Sequence, residues 1–117
     1  MTDTRPWENQ FSVARIDIVE ETPTLRVLEM TLQPGEKVPW HWHTNVHDRF
    51  YCLAGLVEMD CRAPKAMHHL KSGDSFAVAP KVAHEVRNIG SDTVRMMLVQ
   101  GVGPYDYHPV GIEEKEV

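Results

Sequence analysis

Turn-forming residues punctuate this chain at short intervals: Pro23, Pro34-Gly35, Ala54-Gly55, Pro64, Ser72-Gly73-Asp74, Pro80 and Gly90-Ser91-Asp92. The runs between them are short, rich in apolar and β-branched residues, and none sustains a helical period. Strands are therefore expected over 11–19, 24–32, 37–43, 49–53, 56–62, 67–70, 75–79, 84–88 and 93–99. Side chains alternate across a strand, so Leu28, Met30 and Leu32 share one face, and Phe76, Val78, Met96 and Leu98 are expected in the core. This pattern belongs to an all-β sandwich or barrel. The barrel is expected over 11–100, behind a polar arm over 1–10 and ahead of an extended tail over 101–117.

At 117 residues, 42% apolar and 25% charged, the chain suits one domain with a single core. Its net charge of −5 argues against a nucleic-acid surface, which needs a basic stripe. No apolar run approaches membrane-spanning length, so no membrane partner is expected. The start, MTDTRPWENQ, lacks a basic region followed by an apolar run, and the expected location is cytoplasmic. Cys52 and Cys61 sit in apolar runs and read as buried free thiols. Trp7 and Phe11 are suited to pin the arm to the barrel or to a second copy. Because open sheets leave edges to cover, a homodimer is expected.

The chemistry concentrates between Gly35 and Gly55, where His41, His43, His47 and Asp48 crowd together. His41 and His43 are two apart and project from one face of a strand, with Trp40 and Trp42 on the other. Two imidazoles on a rigid strand form a chelate, and His84 downstream is the candidate third. Asp48 and His47 compete for the next position, since neighbours on a strand point oppositely. Asp48 is favoured because it shares parity with Phe50 and Cys52, and it acts either as a ligand or by orienting a histidine. A three-histidine site without a carboxylate stays open.

Two motifs carry a family resemblance. In the first, Gly35, His41, His43 and Gly55 stand in register, with Asp48 where glutamate is usual. In the second, Gly73, His84 and Asn88 match, while Ala79 and Lys81 replace a proline and a glycine. On these residues the chain resembles a small single-domain cupin. The resemblance implies a double-stranded β-helix, or jelly-roll barrel. It also implies that His41, His43, His84 and the acidic position converge on one divalent transition metal: Fe, Mn, Zn or Ni.

The function so implied is a metal-dependent enzyme acting on a small, oxygen-chelating molecule, of dioxygenase, isomerase or lyase type. The alternative is a non-catalytic barrel that holds a metal or metabolite. An enzyme requires a solvent-connected cavity beside the ion, whereas a structural module would have a collapsed, apolar one. Tyr51, Glu58 and Arg87 are near the motifs in sequence, but none is assigned as a base. His68 and His69 read as surface or edge residues, Asn88 as a loop-fixing hydrogen-bonder, and Tyr105, Tyr107 and His108 as packing residues of the tail.

Overall fold

The structure is a computed structural model that describes residues 13–110. The expected arm, with Trp7 and Phe11, lies outside those residues, as does the tail beyond 110. The described strands are β1 (Arg15–Thr22), β2 (Leu25–Leu32), β3 (Lys37–Trp42), β4 (His47–Ala54) and β5 (Leu56–Cys61), then β6 (Ala66–Lys71), β7 (Ser75–Val78), β8 (His84–Asn88), β9 (Val94–Gly101) and β10 (His108–Pro109). There is no helix among the described residues, and hence none long and apolar enough to cross a membrane. The strands form two five-stranded antiparallel sheets, ordered β1-β2-β9-β4-β7 and β10-β3-β8-β5-β6. This is the expected double-stranded β-helix.

Strict alternation builds the first sheet. In β2, Arg26, Leu28, Met30 and Leu32 are buried while their neighbours are only partly covered. In β9 the inward set is Val94, Met96, Leu98 and Gln100. In β4 it is Asp48, Phe50 and Cys52, with His47, Arg49, Tyr51 and Leu53 facing out. Facing them across the barrel, Val38, Val57, Met59 and Val86 close a core that Val78 and Leu70 extend. Phe76 packs against that core but is only partly buried. Cys52 and Cys61 are buried and free.

Register shifts interrupt three of the ladders, in β1, in β3 and at the end of β4 between Cys52 and Ala54. β1 runs on through Glu20 and Glu21, expected to end it, by a bulge between Ile18 and Glu20. β3 carries a second bulge: Val38 pairs with Val86 and His41 with His84, so three steps on β3 oppose two on β8. The extra residue flips parity, which lets Val38 and His41 both point inward. Without it, an inward Val38 would put His41 on the outer face.

The turns obey backbone sterics. Gly55 has φ +88°, and a Cβ there would sit 2.8 Å from the Thr93 carbonyl oxygen, so only glycine fits. Asn88 fixes the β8–β9 loop, donating from Nδ2 to Leu32 O (2.9 Å) and Asp92 O (2.8 Å) and accepting from Gly90 N (2.9 Å). Two residues after Gly101 the chain returns to the barrel, where Gly103 N donates to Thr24 O at 2.8 Å.

Candidate metal centre

The structure brings His41, His43, Asp48 and His84 together, with one potential ligand atom from each lying within 4.8 Å of the others. All four are buried. His41 and His84 are cross-strand partners on β3 and β8, with ring centroids 4.2 Å apart. Asp48 enters from the opposite sheet on β4, and His43 follows the end of β3. His47, the alternative to Asp48, is exposed on the outer face of β4 and lies outside this cluster.

Each ring is oriented by its Nδ1. His41 Nδ1 lies 2.7 Å from Pro39 O, a carbonyl of the β3 bulge. His84 Nδ1 lies 2.9 Å from Val82 O, and His43 Nδ1 lies 2.7 Å from Asp106 O. A carbonyl only accepts, so each Nδ1 carries the proton and each Nε2 is left for the interior. The Nε2 atoms of His43 and His84 lie 3.1 and 3.0 Å from Asp48 Oδ2. An imidazole with both nitrogens facing oxygen acceptors is either doubly protonated or shares a cation with them. The donor set therefore fits a metal ion, with imidazole tautomers already set by their outer partners.

The electrostatics agree. Burial, reinforced by His84 and His43, pushes His41 well below its ordinary value, so its imidazole is neutral. Burial is the largest single influence on His43 and opposes its charge, but hydrogen bonding and attraction to Asp48, joined by those to Asp106, together outweigh it and raise the value. For Asp48, burial alone would favour the neutral acid. Hydrogen bonds from His43 and His84 win and hold the carboxyl far below the usual range.

Beside the cluster is a small cavity reached by His41 and Asp48 and walled by apolar side chains, among them Leu28, Met30, Phe50 and Leu98. It has room for one or two waters. Gln100, Tyr105 and Tyr107 complete it. Gln100 is cross-strand to Asp48 and donates from Nε2 to Asp48 Oδ1 at 3.1 Å. Tyr107 stacks on His41 with centroids 4.7 Å apart, and Tyr105 lies 5.2 Å from His43 and beneath the Arg26 guanidinium, 4.2 Å from its ring centre. Burial raises both phenols far above their ordinary range, so they remain protonated.

The tail thus does more than the packing expected of it. Asp106 fixes His43 through its carbonyl and accepts from Thr44 N at 2.8 Å through its carboxylate. Thr44 and Asp106 also meet His108, which stacks on Trp42 at 4.0 Å. β10 then pairs with β3 alongside His41. No motif spacing marks these residues; the single Tyr-x-Tyr at 105–107 is the visible sign. Gln100 could have been found from its inward parity after Val94, Met96 and Leu98.

The remaining candidates lie elsewhere. Tyr51, Glu58 and Arg87 do not line the cavity; Glu58 pairs with Arg87 on the outer face. His68 and His69 are exposed on edge strand β6, where His68 packs on Phe76 and His69 bonds to Glu58 at 3.1 Å. Trp40 stays outside under Arg62, 4.1 Å from its ring centre. Lys81 keeps the backbone shape its motif position demands, with φ +70°, and its N–H donates to His43 O at 2.7 Å.

Comparison with known proteins accords with this architecture. The sequence profile of the Cupin domain matches residues 28–100. Protein SchB of Streptomyces halstedii is 31% identical over 78 residues, which is 67% of this chain and 54% of that protein. The chain thus spans about half the length of this curated relative. An uncharacterized protein with a double-stranded β-helix domain from Klebsiella pneumoniae superposes with a TM-score of 0.70 at 22% identity, covering 91% of this chain and 90% of that one. Lactobacillus farciminis oxalate decarboxylase, solved as a formate complex, gives 0.74 at 16% identity over 87% of this chain and 32% of that one. With its profile match spanning most of the barrel and a buried His/Asp cluster inside it, the chain belongs to the cupin family.

Proposed function

We propose that His41, His43, His84 and Asp48 bind one divalent transition metal (Fe, Mn, Zn or Ni) and that the chain is a metal-dependent enzyme for a small oxygen-chelating molecule. The observation that carries this reading is the gathering of three imidazoles, each held by a carbonyl on Nδ1, around a buried carboxylate that the Nε2 atoms of His43 and His84 reach directly. Mixed imidazole and carboxylate ligation suits these ions. A bound ion of this kind supplies Lewis acidity toward a carbonyl or enolate oxygen and, as iron, redox chemistry with dioxygen.

The chain's own residues define the rest. Apolar walls limit the space beside the cluster to one or two waters, and the neutral phenols of Tyr105 and Tyr107 keep negative charge away from it. The narrow cavity favours a ligand of few heavy atoms, or one small end of a larger ligand. The likeness in fold to oxalate decarboxylase, one example of which binds formate, supports small carboxylates as the first to try. The reaction belongs with dioxygenases, isomerases or lyases.

Elemental analysis of untagged protein tests the site. One metal per chain is expected, lost in His41→Ala and His84→Ala; a native chain that takes up no added metal refutes it. Iron would direct assays to oxygen consumption, and zinc, nickel or manganese to isomerase and lyase chemistry. The apolar, narrow walls favour a second reading, a non-catalytic metal-holding barrel. Metal retention without turnover of any small carboxylate would support it. We further assign the chain to a cytoplasmic homodimer, supported by its free buried thiols and by exposed Tyr51, Leu53 and Met67. Sedimentation at the mass of one chain would refute the dimer.

A further inference from the structure

Gln100 presents a problem that the metal alone does not solve. Its side chain is 4% exposed and occupies the last inward position of β9, after three apolar residues. A carboxylate only accepts, so the amide must turn its NH₂ toward Asp48 Oδ1, 3.1 Å away. That leaves Oε1 buried, with no hydrogen-bond partner among the described residues. Buried amide oxygens are nearly always satisfied, and one left over beside a cavity calls for a donor. Gln100 lines the cavity that His41 and Asp48 also reach.

We propose that Gln100 is a specificity-determining residue whose Oε1 accepts a hydrogen bond from the ligand, which selects small acids bearing a hydroxyl, such as 2-hydroxy acids, over acids without a donor. The inference rests on the metal-centre reading and refines its substrate class. The direct link to Asp48 explains why glutamine stands here: one amide holds the carboxylate by its nitrogen and reads the ligand by its oxygen. A hydrophobic residue at this position would fill the space but recognise nothing. A lone water could satisfy Oε1 equally well, and the experiment separates the two.

The test uses the full chain loaded with cobalt(II), whose visible spectrum reports ligand binding. Glycolate and fluoroacetate, close in size but with and without a hydroxyl donor, are titrated into the native protein, Gln100→Met and Gln100→Leu. Native protein should prefer glycolate, and that preference should fall about tenfold or more in both variants, each compared at full cobalt loading. Two variants guard against one misfolding. No native preference, or one unchanged in either folded variant, overturns the inference and leaves water as the partner of Oε1. Native protein that takes up no cobalt, or takes it up equally as His84→Ala, refutes the metal centre itself and the inference with it.

Discussion

Strand β8 carries two clusters of ionisable groups on its opposite faces, and they are built on different principles. Inward, His84 joins His41, His43 and Asp48. Outward, Arg87 joins Glu58, Asp60 and Glu85, with Lys37 and His69 at the margins. The outer group supplies its own fixed cation, and the Arg87 guanidinium, the leading influence on Glu58, draws that carboxyl down to about 2. The inner group has a carboxylate but no permanent cation, so its charge must be met by a proton on histidine or by a metal. A cluster held together by a permanent guanidinium is a structural device, whereas one whose balance depends on a titratable or bound cation is a candidate site.

The sharpest way to break this contrast is to remove one member from each cluster. His84→Ala should lower metal affinity by more than about 100-fold, beyond what loss of an orienting partner costs, whereas Glu58→Gln should leave it unchanged; calorimetric metal titration decides. A chain ending after Gly103 removes the Asp106 carbonyl from His43 without touching a proposed ligand. It should bind metal about 10–100-fold more weakly, measured by competition with a chelator.

The outer cluster should instead declare itself in acid. Glu58 sits at about 2 when folded against an ordinary 4.5, so its contribution is present above 4.5 and is lost as pH falls toward 2. Urea midpoints should drop over that window in the native chain and less so in Glu58→Gln. Because the Arg87 side chain is 42% exposed, its coupling to Glu58 should be modest, about 0.2–1 kcal/mol in a double-mutant cycle, and should shrink in 1 M salt. Smallest of all, Lys81→Gly removes a left-handed strain but adds unfolded-state entropy, so stability should change by under about 1 kcal/mol while metal affinity holds.

Much of this could be read from the chain. Period-two alternation in TLRVLEMTL and RMMLVQ, with turn residues between runs, specified strands and their inward faces because a side chain on a pleated strand has only two directions. The same logic placed Asp48 inside with Phe50 and Cys52 and sent His47 out. His41 was harder. Its parity relative to His43 was legible, but that relative to Val38 depended on a bulge opposite β8, which exists only in a paired ladder.

The tail marks the boundary between the two kinds of knowledge. Local pattern determined strands, turns, the inward face of β4 and the shared face of His41 and His43, since each depends on neighbours within a few residues. Tertiary structure decided that Asp106 would orient His43 across 63 residues, that Tyr105 and Tyr107 would line the cavity, and that Gln100 would tether Asp48. These contacts join segments far apart in sequence, and their energies arise from burial and from satisfying polar groups inside a closed barrel. A linear pattern carries no term for either until the chain has folded.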